Sequence, residues 1–435
     1  MMMTRYINAK TATAYQNSEK GPDGHDKQAG TLIFGDEVTH ENRVENGRRL
    51  IQFRGYEKWV DDSKLGDERA LEIYFIDVGT GDATWIVTPA GKTILIHGGL
   101  NRRALGFLAW KYRLHKTGRE LDVDLMVLTH PDDDHLHGLA PIIGDPQVRV
   151  HRVVHSGIAT FANSKAPLGK VVTVDNHKYL VGLHDGITDL APNELSTEYR
   201  DFYEAVRREE TKYGAVNSDT GEIDIGDSNV KIEVLGPRLI QDPKHHQACL
   251  PWLGSEGKTV NGHSVVMRLT YKNVSVLLPG DINEAGAKHL LADGAIASKL
   301  DAHVFKAPHH GSHDFLPEFI SLARPQIAVI SSGDDRDHGH PRAVFTGAIG
   351  RASRSDTPLV FSTEIAGRFV EAGGWKEDAG REKVTYGRLA KPAALFKRNL
   401  HGMINVRTDG TCLYAARRVA ASYQWEAYGP MEAMA

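Results

Sequence analysis

The sequence predicts an α/β fold: an αββα sandwich of two β-sheets covered by helices, with a small β module before it and a β-rich extension after it. Three observations carry this expectation. Short apolar runs separated by turn signals recur from Leu71 to Gly333. Stretches with helical spacing lie between them in both halves of that region. The acidic and histidine-rich motifs follow the runs directly, at the carboxyl ends of expected strands, where open sheets expose loops for chemistry.

Residues 1–30 are polar and rich in Lys, Gly, Asp and Ser, which predicts a flexible arm. Residues 31–68 hold short β-type runs broken by "GD", "NG" and "RG". Asn46-Gly47 suits a hairpin turn. With the "GYEKWV" strand that carries Trp59, this stretch resembles the bacterial SH3-like domain; a β-extension of the main domain is the alternative. The main domain is expected over 69–370. Its first half reads as strands in "LEIYFIDV", "ATWIVTP" and "KTILIHGG", a helix in "GFLAWKYRLHK", strands in "VDLMVLTH" and "VRVHRVVHSG", and a helix over 196–214. Its second half reads as strands in "VKIEVLGP", "SVVMRLTYKN", "VSVLLPGDI", "AHVFKAPHHGS" and "QIAVISSG", with "INEAGAKHLLADG" as a helix. Residues 371–435 are expected as a β-rich appendage, with a hairpin turning at Asp409-Gly410 and no chemistry.

Five strand-end features gather the reactive side chains. The first is "THPDDDH", with His130, Asp132, Asp134 and His135. Neighbouring carboxylates repel one another, and a bound dication removes that repulsion. Imidazole and carboxylate are the ordinary non-thiolate ligands of zinc, and carboxylates also suit manganese. Residues 130, 132 and 134 can project to one side of an extended loop, and His135 to a second centre. A solvated acidic turn would explain the three acids but not the flanking histidines. The second feature is His263 in "NGHSVVMRL", and the third is Asp281 in "LLPGDI", a carboxylate expected to be buried and so in need of partners. The fourth is "KAPHHGS", with Lys306, His309, His310 and Ser312. The fifth is "DHGHPR", with His338, His340 and Arg342.

These motifs resemble the metallo-β-lactamase superfamily, and within it the branch containing the hydrolase domain of the DNA-internalisation protein ComEC. The likeness rests on "IDVGTGDATWIV", on Asp132 in place of the second signature histidine, on "LLPGD", "KAPHHGS" and "HGHP", and covers roughly 71–370. It implies His130, Asp132 and His263 around one metal ion, and Asp134, His135 and either His309 or His310 around a second, with Asp281 bridging. It also implies two divalent ions, Zn2+ first and Mn2+ as the alternative. The sequence departs from the family at His97, where an acid usually orients a ligand histidine. A neutral imidazole there can accept the same hydrogen bond, or face the metals itself. Asp77 and Asp82 are expected as supporting acids or turn formers.

Such a site would activate a shared water for hydrolysis, with Asp134 orienting it. Lys306 is expected to pair an anionic substrate, and His340 with Arg342 to do the same or to protonate a leaving oxygen. The expected reaction is therefore phosphodiester hydrolysis, on nucleic acid or a small or cyclic nucleotide. A carboxylic ester, lactone or β-lactam hydrolase and a non-catalytic metal-containing binding protein stay open as alternatives. A protein or peptide partner is expected for the SH3-like stretch.

The net charge is −4, with 52 basic and 56 acidic residues, so any nucleic-acid contact has to come from a local patch. Only two cysteines occur, Cys249 and Cys412, far apart, which argues against a disulfide framework and a thiolate zinc site. No apolar stretch suits a membrane span or a signal peptide, so a cytoplasmic protein without membrane partner is the default expectation.

Overall fold

The computed structural model describes residues 2–19, 26–116, 118–209, 211–333, 339–364, 402–418 and 425–434. Two large sheets dominate them. A nine-stranded sheet has the order Lys212–Ala215, Arg152–His155, Leu125–Leu128, Thr93–Ile96, Thr84–Val87, Leu71–Phe75, Ile404–Thr408, Cys412–Arg418 and Trp425–Glu432. A six-stranded sheet has the order Val230–Gly236, Val266–Tyr271, Val274–Leu278, Val304–Lys306, Ile327–Ile330 and Leu359–Ser362.

The continuous apolar runs follow from burial on both faces, because successive side chains of a strand point to opposite sides. Ile73, Phe75, Ile86, Ile94 and Val127 meet Ile232, Met267, Leu269, Val276 and Val329 of the six-stranded sheet in one shared core. The intervening Tyr74, Trp85, Leu95 and Met126 face the other way, onto a core with helices Arg103–Tyr112, Leu139–Ile143 and Thr197–Arg208. Helices Glu284–Leu291, Pro317–Ala323 and Ala343–Ala352 cover the outer face of the six-stranded sheet. Ser196 starts the helix Thr197–Arg208 by accepting the Tyr199 amide at 3.3 Å. That helix stops short of the expected 214, and Lys212–Ala215 returns as an edge strand parallel to Arg152–His155.

Three expectations about the flanks meet the structure differently. The Asn46-Gly47 hairpin is present: both residues take positive φ, at 50° and 74°, and Val44 and Glu45 pair with Arg49 and Arg48. The flexible arm expected over 1–30 is corrected for its described residues, 2–19 and 26–30. Met3–Ile7 and Thr11–Tyr15 are strands of the same eight-stranded sheet that runs to Leu65–Gly66. Ile7, Ala12 and Ala14 join Leu32, Val38, Ile51 and Val60 in its core, so alternation outweighs the polar composition. The C-terminal strands are corrected too. The hairpin turns at Asp409-Gly410 as expected, but Ile404–Thr408 pairs with Leu71–Phe75 inside the nine-stranded sheet instead of forming an appendage. Residues 365–401, which include the start of the expected extension, lie outside the described residues.

Arg407 ties these parts together. From Ile404–Thr408 its buried guanidinium donates to Asp36 Oδ1 (2.9 Å) and to the Tyr74 hydroxyl (2.8 Å), and lies 3.4 Å from Glu72 Oε2. Phe34 of the N-terminal sheet stacks on Tyr414 at 3.9 Å. Burial opposes the charge on Glu72, but Lys111 and Arg407 outweigh it and hold its carboxyl at about 2, against 4.5 unperturbed. A depressed carboxyl contributes stability that is complete above its unfolded value and is lost as the pH falls through its folded value. Wild-type stability is therefore expected to fall between pH 4.5 and 2. Glu72→Gln should flatten that segment by roughly 3 kcal/mol in urea unfolding. An unchanged pH profile in the variant would refute the assignment.

Candidate metal centre

The strand pairs Thr93–Ile96 with Leu125–Leu128, Leu125–Leu128 with Arg152–His155, and Val274–Leu278 with Val304–Lys306 and Ile327–Ile330 are parallel. Their carboxyl ends deliver His97, Thr129, His130, Asp281, His310 and Ser331 to one buried locus. Asp132 precedes a single helical turn, Asp133–Leu136, which carries Asp134 and His135 inward and leaves Asp133 exposed. Asp134 can approach because Gly81 has no side chain: a Cβ there would lie 1.9 Å from the Asp134 carbonyl oxygen.

Four of the expected ligands converge. Asp281 Oδ2 lies 3.2 Å from His135 Nε2 and 3.1 Å from His310 Nε2. Asp134 contributes Oδ1 at 3.5 Å from His135 Nε2 and Oδ2 at 3.3 Å from His310 Nε2. The donor atoms of Asp134, His135 and His310 all lie within 4.8 Å of one another, as do those of Asp82, His135 and Asp281. The Nε2 atoms of His130, His135 and His310 are buried without a hydrogen-bond partner. Orphaned imidazole nitrogens beside carboxylates are expensive unless something binds them. Nitrogen and oxygen donors in this set suit a divalent cation. Without one, burial would keep the His310 ring neutral, but Asp281 and Asp134 raise its pKa well above the ordinary value. Burial likewise disfavours ionised Asp281, yet His310, His135 and Lys306 hold it well below the usual carboxylate range.

A hydrogen bond distinguishes His310 from His309. His310 Nδ1 donates to the Ser331 carbonyl at 2.9 Å, which leaves Nε2 as the free lone pair. The His309 ring lies 5.7 Å from the His340 ring and is outside the converging donor sets. Both histidines adopt positive φ, 46° and 52°, an uncommon backbone for such residues and a feature of strained functional loops.

His130 meets the cluster from the other side, with Nε2 3.8 Å from Asp132 Oδ2. The expected third partner there is corrected. His263 turns away: its Nε2 donates to the Pro251 carbonyl at 2.8 Å, and its ring lies 5.7 Å from that of His289. It caps the end of helix Glu256–Gly262, and burial lowers its pKa to about 3, so it is neutral. Two neighbours approach the cluster instead. The Asn261 side chain approaches that of Asp132 and favours its charged form against burial. The Ser264 hydroxyl lies 3.3 Å from His130 Nδ1 and accepts the Asp281 amide at 3.0 Å. Neither carries a ligand signature as conspicuous as the histidine of "NGHS".

Lys306 is also corrected. It is 2% exposed. Its ammonium pairs with Asp82 Oδ2 (2.8 Å) and Asp281 Oδ1 (3.2 Å) and donates to the Gly280 carbonyl (3.2 Å). A buried ammonium with three acceptors is satisfied internally. It is shielded from solvent, and it fixes Asp281 so that Oδ2 faces the histidines. Asp82 is thereby a buried structural partner, while Asp77 accepts the Gly79 amide in a turn.

His97 occupies the orienting position beside His135. The Thr129 amide donates to its Nε2 at 3.2 Å, which places the ring proton on Nδ1. That atom lies 3.3 Å from Asp82 Oδ2 and 3.0 Å from His135 Nδ1. The Thr129 hydroxyl lies 2.7 Å from His97 Nε2 and 2.9 Å from His130 Nδ1, linking the two rings. Burial, with His135 alongside, lowers the His97 pKa to about 4 and keeps it neutral.

His340 is buried, its ring 6.2 Å from that of His310 and its carbonyl accepting the Ser332 hydroxyl. The Arg342 amide donates to the Gly311 carbonyl at 2.8 Å. His338 lies outside the described residues. Among the described residues no helix is long and apolar enough to cross a membrane.

No protein-family model matches the sequence. Among curated proteins the chain is similar to ComE operon protein 3 of Bacillus subtilis (strain 168), 25% identical over 288 residues that cover 62% of this chain. The match covers 29% of that protein, so the chain spans well under half of its relative's length.

Proposed function

We propose that the chain is a metal-dependent hydrolase of the metallo-β-lactamase fold that cleaves phosphodiesters of nucleotides or nucleic acid. The observation that carries the metal-dependent part is the convergence of Asp134, His135, Asp281 and His310, with imidazole nitrogens left unpartnered inside a buried cluster. Their donor atoms suit Zn2+ or Mn2+, and His130 with Asp132 would serve a second ion. Bound cations would polarise the scissile group and acidify a water. The chain's own groups do the positioning. Lys306 holds Asp281, His97 and Thr129 hold the rings of His135 and His130, and the Ser331 carbonyl holds His310. Asp134, the more exposed of the two clustered acids at 26%, accepts a hydrogen bond from water entering from solvent and orients it. His340, beside His310, supplies a proton to the leaving oxygen.

The phosphodiester part draws on the resemblance of "IDVGTGDATWIV", "LLPGD" and "KAPHHGS" to the ComEC-like branch and on the similarity to ComE operon protein 3. One observation favours a second reading. The commitment of Lys306 to Asp82 and Asp281 removes a cation from substrate binding, which suits a neutral ester, lactone or β-lactam. A cytoplasmic location and a partner-binding, SH3-like role for the N-terminal sheet belong to the same proposal.

The purified chain, supplied with Zn2+ or Mn2+, is expected to hydrolyse bis-p-nitrophenyl phosphate and to lose that activity with EDTA. Turnover of nitrocefin or a lactone, without cleavage of the diester, would transfer the assignment to the second reading.

A further inference from the structure

A cavity of about 390 Å3 lies along the same sheet edge as the metal-ligand cluster, and none of the cluster residues lines it. Strand register places it. Leu128, two residues before His130, pairs with His155, and His155 pairs with Ala215. Ser156 and Gly157, just past the end of one strand, and Val216, just past the end of the next, therefore follow at the level of Thr129 and His130, about 5 and 10 Å to the side, with Ala215 one residue before. The opposite wall comes from a four-stranded sheet that contains His177–Leu180 and Ala248–Pro251. His263 holds that wall to the metal side through its bond to Pro251.

The lining specifies a chemistry. Among the described residues no lysine or arginine lines it, and the one carboxylate that does, Asp185, spends Oδ1 on the Ala215 amide at 2.7 Å. An anion would find no counter-charge there. Val181, Val216 and Leu239 supply apolar surface, while Asn217 and Gln247 supply carboxamides. Asn217 uses its carbonyl on the Asp219 amide, which leaves its NH2 as a donor. His184 adds an aromatic wall, and it is rigid. Its ring stacks on His155 at 4.5 Å, and His155 stacks on Tyr213 at 4.2 Å. The hydroxyls of Tyr213 and Tyr199 lie 2.9 and 3.1 Å from His184 Nε2. Carboxamides in reach of a ring's edge and an aromatic wall beside apolar contacts are how proteins hold an unpaired base. The volume lies within the range of small-ligand sites.

We propose that this cavity is the nucleobase subsite of the active centre, taking the neutral heterocycle of a nucleotide whose phosphodiester lies at the His135–His310 cluster. The inference rests on the phosphodiester reading for its link to catalysis, and its test does not need turnover. Adenosine and uridine are titrated into the full-length chain and followed by ligand-observed NMR. Saturable binding is expected. Ala248→Trp, an exposed wall position that fills the cavity, and Gln247→Ala, a milder exposed change, should each weaken it about tenfold or more, the scale of one good carboxamide–base pair. Thermal midpoints of the variants identify any that fail to fold. No nucleoside binding to the wild type, or equal binding by wild type and both folded variants, overturns the subsite even if diesters are cleaved. Nucleoside binding that is lost in the variants, without diester turnover in the wild type, upholds the subsite and overturns the reaction.

Discussion

Asp281→Ala is expected to strip the chain of bound metal and to lower diester turnover about 10^3-fold, the scale at which loss of a charge-stabilising group is felt in a catalytic site. The reason is geometric. One oxygen of Asp281 is spent on Lys306 at 3.2 Å, and the other sits between the Nε2 atoms of His135 and His310. Removing it takes a donor from both histidines' side of the cluster and leaves two buried rings with one carboxylate, Asp134, for charge balance. Asp281→Asn separates charge from shape: it keeps the volume and should fold, yet should lose metal almost as completely. Elemental analysis after dialysis against dilute Zn2+ measures the effect. Two metal ions per chain in either variant would show that Asp281 is not the shared ligand.

The fold was legible where burial is two-sided. Runs such as "TILI" and "LMVL" cannot be half-solvated strands, because every residue in them needs an apolar neighbour, and both are central strands. The Asn46-Gly47 hairpin was legible because left-handed backbone selects those residue types. Met3–Ile7 was not: its two outermost residues are exposed, and its place depends on pairing with Glu37–His40. Ile404–Thr408 carries no local sign that it enters the middle of a sheet beside Leu71–Phe75, since that partner is remote in the chain. The site divides the same way. Residue types announced the acids and histidines. Orientation decided the rest, and orientation comes from groups with no signature, namely the Ser331 carbonyl that selects His310, and the helix end that aims His263 at Pro251 and leaves Asn261 facing Asp132. His97 shows a departure from pattern that keeps the place and changes the chemistry: its ring packs against His135, but with Nδ1 protonated by the Thr129 contact it faces Asp82 and His135 as a donor, where an acid would accept.

Lys306→Met is expected to destabilise the chain by about 3–5 kcal/mol, the scale at which a buried ion network is broken by removing one partner. The methionine fills the volume of the lysine stem, so the loss reports charge and not packing. It leaves Asp82 and Asp281, each 1% exposed, without their ammonium. Two consequences separate this from a lysine that binds substrate. First, Zn2+ or Mn2+ should restore more of the urea midpoint in the variant than it adds to the wild type, because a cation at the cluster takes over the neutralisation of Asp281. Second, kcat should fall while KM stays within about twofold, since the interaction removed positions a ligand and does not touch the ground-state substrate. A variant with wild-type stability, unchanged kcat and a raised KM for anionic substrates would place the ammonium in the substrate site instead. The burial of Lys306 between two acids argues for the first outcome, because every proton on Nζ already has an acceptor within 3.2 Å.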